Sequence, residues 1–249
     1  MELTLIVFSL LATFLAAALT VPAGFGLATM ITPVVFLWLE PHEAVAVVAI
    51  VHGSHNAWKL KALRESVNYS SVRRFGWALI AGALIGAFLN TIVDAEPLLL
   101  LVGVALVVLP LLSVTERWTR FRLPETEDRI GGFGSGFFGG LTGHQGALRA
   151  MFLQKRLPDK AEYAATAALL ALVVDVTRIP VYVALGGWQI LDAGFLIVGL
   201  VIAAILGVQL GKIWLKRWKS KSIRHGILIA IVASGILYIR EACIALGYL

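Results

Sequence analysis

The chain has 249 residues, of which 59% are hydrophobic and only 14% are charged, and its mean hydropathy is +0.87. A soluble domain carries about 25% charged residues, so this composition excludes an ordinary soluble globular protein. The basic pI of about 9.7 does not indicate a nucleic-acid partner, because Lys and Arg cluster beside apolar runs. The single cysteine, Cys243, excludes an internal disulfide bond.

Eight apolar regions follow one another along the chain, and several reach the roughly 20 apolar residues that cross a bilayer. They fall near residues 4–39, 44–60, 75–93, 97–113, 130–154, 162–185, 190–211 and 224–247. The first is too long for one span and is interrupted by VPAGFG at residues 21–26. The fifth is interrupted by GGLTG at residues 139–143. The sequence therefore predicts an all-α polytopic membrane protein with two broken helical segments.

The positive charges decide between two topologies. If all eight regions were single crossings, the eighteen loop Lys and Arg residues would divide nine against nine between the two sides. If the first and fifth regions are hairpins that enter and leave on the same side, all eighteen fall on one side. The positive-inside rule favours the hairpin topology, with the basic loops in the cytoplasm and both termini outside.

The hairpin topology divides the chain into two halves, each made of one broken segment and three transmembrane helices. We predict a first repeat at residues 1–113, a cytoplasmic linker at 114–129 and a second repeat at 130–249. Because each half crosses the membrane an odd number of times, the two repeats are inverted relative to each other. Inverted repeats with breaks at matching positions are typical of secondary transporters.

The second break lies in the stretch 136–154, GFFGGLTGHQGALRAMFLQ, which combines helix-weakening glycines with polar side chains. A helix that starts inside a membrane offers free backbone N–H groups to an anion, and glycines let the ligand approach closely. We therefore predict an anion site at the two breaks. Its candidate residues are Gly24, Gly26, Gly143, His144, Gln145, Gly146 and Arg149.

Structural alternatives exist for these residues. The glycines could serve close packing between helices instead of ligand binding. Arg149 could clamp two oxygens of an oxyanion, or it could snorkel to the cytoplasmic surface, since Lys155 lies only six residues further on.

A polar stripe runs along the second apolar region. His52, His55, Asn56 and Lys59 follow the spacing i, i+3, i+4, i+7 of one helix face. Such a stripe on an apolar span is expected to face the protein interior or a water-filled path. His52 or His55 could carry a coupling proton, or the stripe could hydrogen bond between helices. Asn56 is a candidate for binding the substrate, and Lys59 is predicted to be an interfacial anchor.

The sixth region contains Asp175 and Arg178 at positions i and i+3. Burial of either charge alone is costly, so we predict that they pair. The pair could be structural, or Arg178 could attract the anion while Asp175 holds it or exchanges a proton. Asn90 and Gln209, near the ends of the third and seventh regions, are weaker candidates.

These motifs resemble the sulfite exporter family of TauE/SafE type. The resemblance rests on two glycine-rich stretches, each followed by a Pro-x-x-Ala turn: AGFG (23–26) with PHEA (41–44), and GGLTGHQG (139–146) with PDKA (158–161). The stretch DVTRIPVY (175–182) is also similar to the span that the family has in its second half.

The resemblance implies a transporter that exports or takes up small sulfur-containing anions, such as sulfite or the organosulfonate sulfoacetate, and that is coupled to an ion gradient rather than to ATP. It implies a multi-pass protein of the bacterial inner (plasma) membrane. The expected partners are a small inorganic or organic sulfur oxyanion and the lipid bilayer, without nucleic acid, metal or cofactor. Monomer and homodimer are both left open.

Two other functions remain as alternatives at this point. One is a passive anion channel. The other, weaker alternative is an intramembrane hydrolase, for which Ser135 and His144 are the only nearby serine–histidine pair. The sequence HGSH at residues 52–55 lacks the spacing and the glutamate of a His-Glu-x-x-His metalloprotease motif. We therefore expect a transporter and not an enzyme.

Overall fold

The computed structural model describes residues 3–23, 26–114, 128–186, 194–217 and 220–249. Within these residues the chain forms ten α-helices and one short 3-10 turn, and no strand. The helices are α1 (Leu3–Ala23), α2 (Leu27–Val35), α3 (Pro41–Leu63), α4 (Tyr69–Ile92), α5 (Ala95–Val114), α6 (Asp128–Thr142), α7 (Gly146–Arg156), α8 (Lys160–Gly186), α9 (Gly194–Arg217) and α10 (Ser220–Ala245). The predicted all-α architecture is confirmed, and both interrupted regions are divided into two helices.

Several helices are long enough to cross a membrane, since a helix of 20 residues extends about 30 Å, the thickness of the hydrocarbon core. Four described segments combine this length with an apolar sequence: Leu3–Val21, Tyr69–Ile92, Lys160–Leu185 and Gly194–Trp214. Helix α3 has 23 residues, but its polar stripe lowers its hydrophobicity. The chain is thus a multi-pass membrane protein.

Local signals fix where the helices between the breaks begin. Helix α3 begins at Pro41, a residue that suits the first helical position because its missing N–H would have no partner there. Asn68 caps α4 by accepting a hydrogen bond from the Ser71 backbone N–H at 2.8 Å. The Asn68 side chain also donates to Glu162 at 2.7 Å, which ties the start of α4 to the start of α8.

The two breaks share one backbone feature. Gly26, which precedes α2, has a φ of 108°, and Gly143, which follows α6, has a φ of 85°. Residues with a side chain rarely adopt this left-handed conformation, so glycine is required at both positions. The helices that follow are short: α2 has 9 residues and α7 has 11. At 1.5 Å per residue, α7 extends about 16 Å, roughly half of the hydrocarbon core.

A salt bridge joins the two ends of the second broken segment. Arg156, the last residue of α7, donates a hydrogen bond to the carboxylate of Asp128, the first residue of α6. Asp128 is buried. The contact brings the two ends of the segment together, with the break at Gly143 at the far end of both helices. This arrangement agrees with a hairpin that enters and leaves on the same side.

Helices α4 and α6 pack at the distance of backbone contact. Gly132, Gly136 and Gly140 lie on one face of α6 at a spacing of four residues, and a Cβ atom on any of them would overlap the backbone of α4. Gly82 and Gly86 of α4 lie equally close to the backbone of α6. Small residues at this spacing allow helices to approach closely, and close packing drives helix association in membranes.

The main helix contacts connect the predicted halves to each other. Helix α6 of the second half packs along α4 of the first, and α1 of the first half packs along α9 of the second. In addition, α3 contacts α8 and α5 contacts α10. In chain order, α1 of the first half corresponds to α6 of the second, and α4 corresponds to α9, so the α1–α9 and α6–α4 contacts are equivalent. The other two contacts each join a helix to its equivalent in the other half. The inverted repeat itself stays a prediction.

The contact between α4 and α6 predicts opposite effects for two glycine-to-alanine substitutions. Gly136→Ala places a methyl group against the backbone carbonyl of Leu79, so the free energy of unfolding is expected to fall by about 1–3 kcal/mol. Gly76→Ala on α4 meets no atom within 4 Å, and the higher helix propensity of alanine should raise this free energy by up to about 1 kcal/mol. Thermal unfolding in detergent measures both changes. Equal midpoints for the two variants would contradict the backbone contact.

Candidate functional site

A small buried cavity lies where the two helix breaks meet the polar stripe of α3. Its volume is about 20 Å³, which is enough for about one water molecule. Its wall includes both breaks, the second half of α3 and Ala167 of α8. The predicted site residues that line it are Gly26, His52, His55, Asn56, Gly143, Gln145, Gly146 and Arg149.

Three other predicted site residues lie behind the wall of the cavity. His144, Asp175 and Arg178 are buried, but they do not line the cavity. Gly24 lies outside the described residues, so its role stays a prediction. The structure therefore brings most of the predicted residues together around one space, although they come from the two breaks, from α3 and from the first turn of α7.

The polar stripe of α3 is buried and faces the cavity, as its spacing predicts. One expectation for the stripe is wrong, because Lys59 is not an anchor at the membrane interface. Its side chain is only 4% exposed, and it lines the cavity together with the other three residues of the stripe. The reason is that α3 continues to Leu63, which places Lys59 about one turn inside the end of the helix.

Gln145 and Arg149 form a hydrogen-bonded unit at the start of α7. Arg149 Nη1 donates to the side-chain oxygen of Gln145 at 2.8 Å. Within the described residues, Gln145 Nε2 and Arg149 Nε have no partner. Arg149 is buried and does not snorkel to the surface. The two nitrogen atoms without a partner are both hydrogen-bond donors. The pair therefore suits a ligand that only accepts hydrogen bonds, such as an oxyanion.

Two histidines near the cavity lack well-formed hydrogen bonds. Neither ring nitrogen of His55, nor either ring nitrogen of His144, has such a bond within the described residues, although both side chains are buried. Buried polar groups without partners are uncommon in folded proteins and call for an explanation. His55 lines the cavity, whereas His144 lies behind its wall.

The Asp175 carboxylate in α8 contacts two side chains, His52 and Arg178. His52 Nδ1 lies 2.7 Å from one carboxylate oxygen, and Arg178 approaches the other with Nε at 3.0 Å and Nη2 at 2.8 Å. The ion pair predicted from the i, i+3 spacing is thereby confirmed. Because His52 belongs to α3, the carboxylate also connects the first half of the chain to the second.

Arg178 also contacts the end of α6. The last carbonyl groups of a helix have no partner inside the helix, and a positive charge near them is favourable. Three side chains supply the missing donors: Arg178 donates to Gly139 at 2.6 Å, Tyr182 donates to Gly140, and Asn90 donates to Leu141 at 2.8 Å. Arg178 therefore contacts both Asp175 and the end of α6, which supports a structural role, and its part in binding the anion stays a prediction.

Sequence reasoning missed two residues of the site and ranked a third too low. Lys59 was expected to be an interfacial anchor, and Tyr182 was not considered. Tyr182 follows Asp175 by seven residues and Arg178 by four, so helical spacing alone places all three on one face of α8. Asn90 gives no comparable signal, because its partner belongs to the other half of the chain.

The serine–histidine pair of the hydrolase alternative is not formed. The Ser135 hydroxyl donates to the backbone carbonyl of Gln145 at 3.2 Å, and His144 accepts no hydrogen bond from it. Within the described residues, no group of three or more His, Cys, Asp or Glu side chains is arranged to hold a metal ion.

A wider cavity of about 500 Å³ lies at the other end of α3, where Glu40, Glu43 and Asp94 make its lining acidic. Asn90 and Tyr182, the side chains that cap α6, also line it. The capped end of α6 therefore lies between the wide cavity and the small one. Along α3, the two cavities are separated by the six helical steps from residue 46 to residue 52, a rise of about 9 Å.

Removal of the central carboxylate is expected to destabilise the protein strongly. Asp175→Ala leaves Arg178 buried without its counter-charge, so the free energy of unfolding should fall by about 3–5 kcal/mol. Glu65→Ala removes a carboxylate from an exposed turn and should change this free energy by less than about 0.5 kcal/mol. Unfolding in detergent, followed by circular dichroism, compares the two. Similar small losses in both variants would argue against a structural role for the ion pair.

The sequence matches the protein family described as Sulfite exporter TauE/SafE over residues 9–238. The matched region contains both helix breaks and every residue that lines the small cavity. Nothing among curated proteins or solved structures matches the chain. The family is one of membrane transporters, in agreement with the multi-pass helical fold. Because the match covers nearly the whole chain, the protein belongs to the TauE/SafE sulfite exporter family.

Proposed function

We propose that this protein is a secondary transporter, driven by an ion gradient, that exports small sulfur-containing anions such as sulfite or organosulfonates such as sulfoacetate. The observation that carries the proposal is the cavity between the two helix breaks, where Gln145 and Arg149 have donor atoms with no described partner. Membership of the sulfite exporter family supports a sulfur oxyanion as the substrate.

The starts of two short helices support an anion site. The first residues of α2 and of α7 both line the cavity. N–H groups in the first turn of a helix have no acceptor inside the helix, and the helix dipole adds a partial positive charge there. Transporters with broken helices bind anionic groups in this way. The residues proposed to bind the anion are Gly26, Asn56, Gly143, His144, Gln145, Gly146 and Arg149.

The small volume of the cavity is consistent with a closed state of the transporter. Sulfite is larger than one water molecule, so the cavity must widen for the anion to enter or leave. Inverted repeats at residues 1–113 and 130–249, joined by the linker at 114–129, allow this by rocking against each other. The equivalent helix contacts made by the two halves support such a repeat.

The charges at the two ends of the protein support export. Acidic side chains line the wide cavity, and like charges repel, so an anion that reaches this cavity is released. The basic residues of the loops attract anions on the opposite side. We place these loops in the cytoplasm and both termini outside, in the inner (plasma) membrane of a bacterium.

The contact between His52 and Asp175 is proposed to carry the coupling proton, with His55 as a further candidate. At 2.7 Å, a proton can pass directly between the His52 ring and the carboxylate. Protonation of Asp175 weakens its attraction to Arg178, which holds the end of α6. Proton binding is thereby linked to movement of the helix break.

Substitution of Arg149 tests the site directly. Arg149→Gln removes a charged donor from the cavity, so transport of sulfite in proteoliposomes is expected to fall at least about tenfold. Arg73→Gln removes a cation from an exposed position at the start of α4 and should leave the rate within about twofold. Efflux of sulfite from loaded liposomes under a pH gradient measures both variants.

Two results would overturn the proposal. If wild-type protein moves none of sulfite, thiosulfate and sulfoacetate, the protein is not a sulfur-anion transporter. If flux follows only the electrochemical gradient of the anion and ignores the pH gradient, the passive channel takes the place of the coupled carrier.

Substitution of His52 separates coupling from binding. His52→Asn retains a hydrogen-bonding side chain but removes the titrating ring, so accumulation driven by a pH gradient should fall to background. Exchange of labelled for unlabelled anion, which needs no net proton movement, should continue. His42 lines the wide cavity, and its ring nitrogen lies 2.8 Å from the Val93 carbonyl oxygen. His42→Asn should change neither the accumulation of the anion nor its exchange. Loss of both activities in His52→Asn would contradict a role confined to coupling.

A further inference from the structure

Lys59 occupies a position that the proposed function leaves unexplained. It lies about one turn inside the end of α3, is 4% exposed and lines the small cavity. Within the described residues it forms no ion pair and no hydrogen bond. A buried lysine without a partner is rare and calls for an explanation.

A second cation lines the same cavity. Arg149 and Lys59 are close enough for their positive charges to act on each other. The hydrogen-bond acceptor of Arg149 is the uncharged side-chain oxygen of Gln145. Two cations on different helices, α3 and α7, thus converge on one small space.

The carboxylates of the described residues do not neutralise these two cations. Asp175 is already paired with Arg178 and contacts His52. Asp128, the other buried carboxylate, is paired with Arg156 at the opposite end of α6. The neighbouring histidines bring no negative charge. The wall of the cavity therefore carries two positive charges in excess, and an unpaired buried charge is costly unless a ligand supplies its partner.

We propose that Lys59 and Arg149 together select a doubly charged oxyanion over a singly charged anion of the same shape. The inference rests on the proposed anion site and adds Lys59 to its binding residues. A monoanion leaves one of the two cations uncompensated when the cavity closes. A protonated oxyanion such as hydrogensulfite has a second disadvantage: its O–H group needs an acceptor, and Lys and Arg side chains have none.

Thiosulfate and methanesulfonate form a matched pair of probes for this selection. Both contain an SO₃ group with one further substituent of similar size, which is sulfur in the first and methyl in the second. Thiosulfate carries two negative charges near neutral pH, and methanesulfonate carries one. Calorimetric binding of each to the full-length protein in detergent, at low and constant ionic strength, measures the effect of charge with little change in shape.

Wild-type protein is expected to bind thiosulfate at least about tenfold more tightly than methanesulfonate. Lys59→Gln should weaken thiosulfate binding by about 10- to 100-fold and methanesulfonate binding by less than about threefold, so that the preference largely disappears. Lys61→Gln is the matched control, because Lys61 lies on the same helix but is exposed, with its ammonium over the Trp58 ring at 5.2 Å. This control should bind both anions as wild type does.

A thermal measurement distinguishes a binding role from a structural one. Without ligand, Lys59→Gln should unfold at the same temperature as wild type or a higher one, because it removes an unpaired buried charge. Saturating thiosulfate should raise the unfolding temperature of wild type more than that of the variant. If Lys59→Gln fails to fold or unfolds at a clearly lower temperature, Lys59 has a structural partner and the proposal is overturned.

The binding data also separate this inference from the proposed function. Equal affinity of wild type for the two probes, or an equal loss of both in Lys59→Gln, would overturn charge selection and leave the anion site in place. Absence of binding by every sulfur oxyanion tested, sulfite and sulfoacetate included, would overturn the proposed function itself.

Discussion

The ion pair between Asp175 and Arg178 determines where α6 can end. A helix that stops inside a membrane leaves carbonyl groups without partners, and hydrocarbon cannot satisfy them. Arg178, held by Asp175, donates to the carbonyl of Gly139, and two neutral side chains satisfy the next two carbonyls. The chain can then turn at Gly143 and start α7 at the cavity. The same carboxylate contacts His52 of α3, so one side chain joins the helix break to the polar stripe.

The glycines of the second broken segment have two different environments, one against the backbone of α4 and one at the helix break. Gly132, Gly136 and Gly140 face α4 and let the two backbones touch. Gly143 adopts a backbone conformation that a side chain disfavours, and it lines the cavity. Packing and site formation were competing explanations for the same glycine-rich sequence. Packing applies to the glycines on the α4 face of α6, because they meet another backbone, whereas site formation at Gly143 stays a proposal.

Features that depend on nearby residues were predictable from the sequence, and features that depend on distant ones were not. The two breaks and the polar stripe of α3 follow from local composition and helical spacing. The burial of Lys59 was missed because a basic residue near the end of a span resembles a loop residue, and Arg149, which shares the cavity with it, lies ninety residues further along the chain. The glycines at a spacing of four in α4, α6 and α9 indicate close helix packing, but they do not indicate which helix is the partner.

The pairing of α1 with α9 has a consequence for how the protein is made. Helix α1 is synthesised before α9, whose glycine-bearing face, with Gly207 and Gly211, covers it. During synthesis this side of α1 must rest against lipid. Lipid chains solvate an apolar face about as well as another helix does, so the delay costs little stability. Helices of the two halves can therefore pack against each other, because the bilayer covers this face of α1 until α9 has been synthesised.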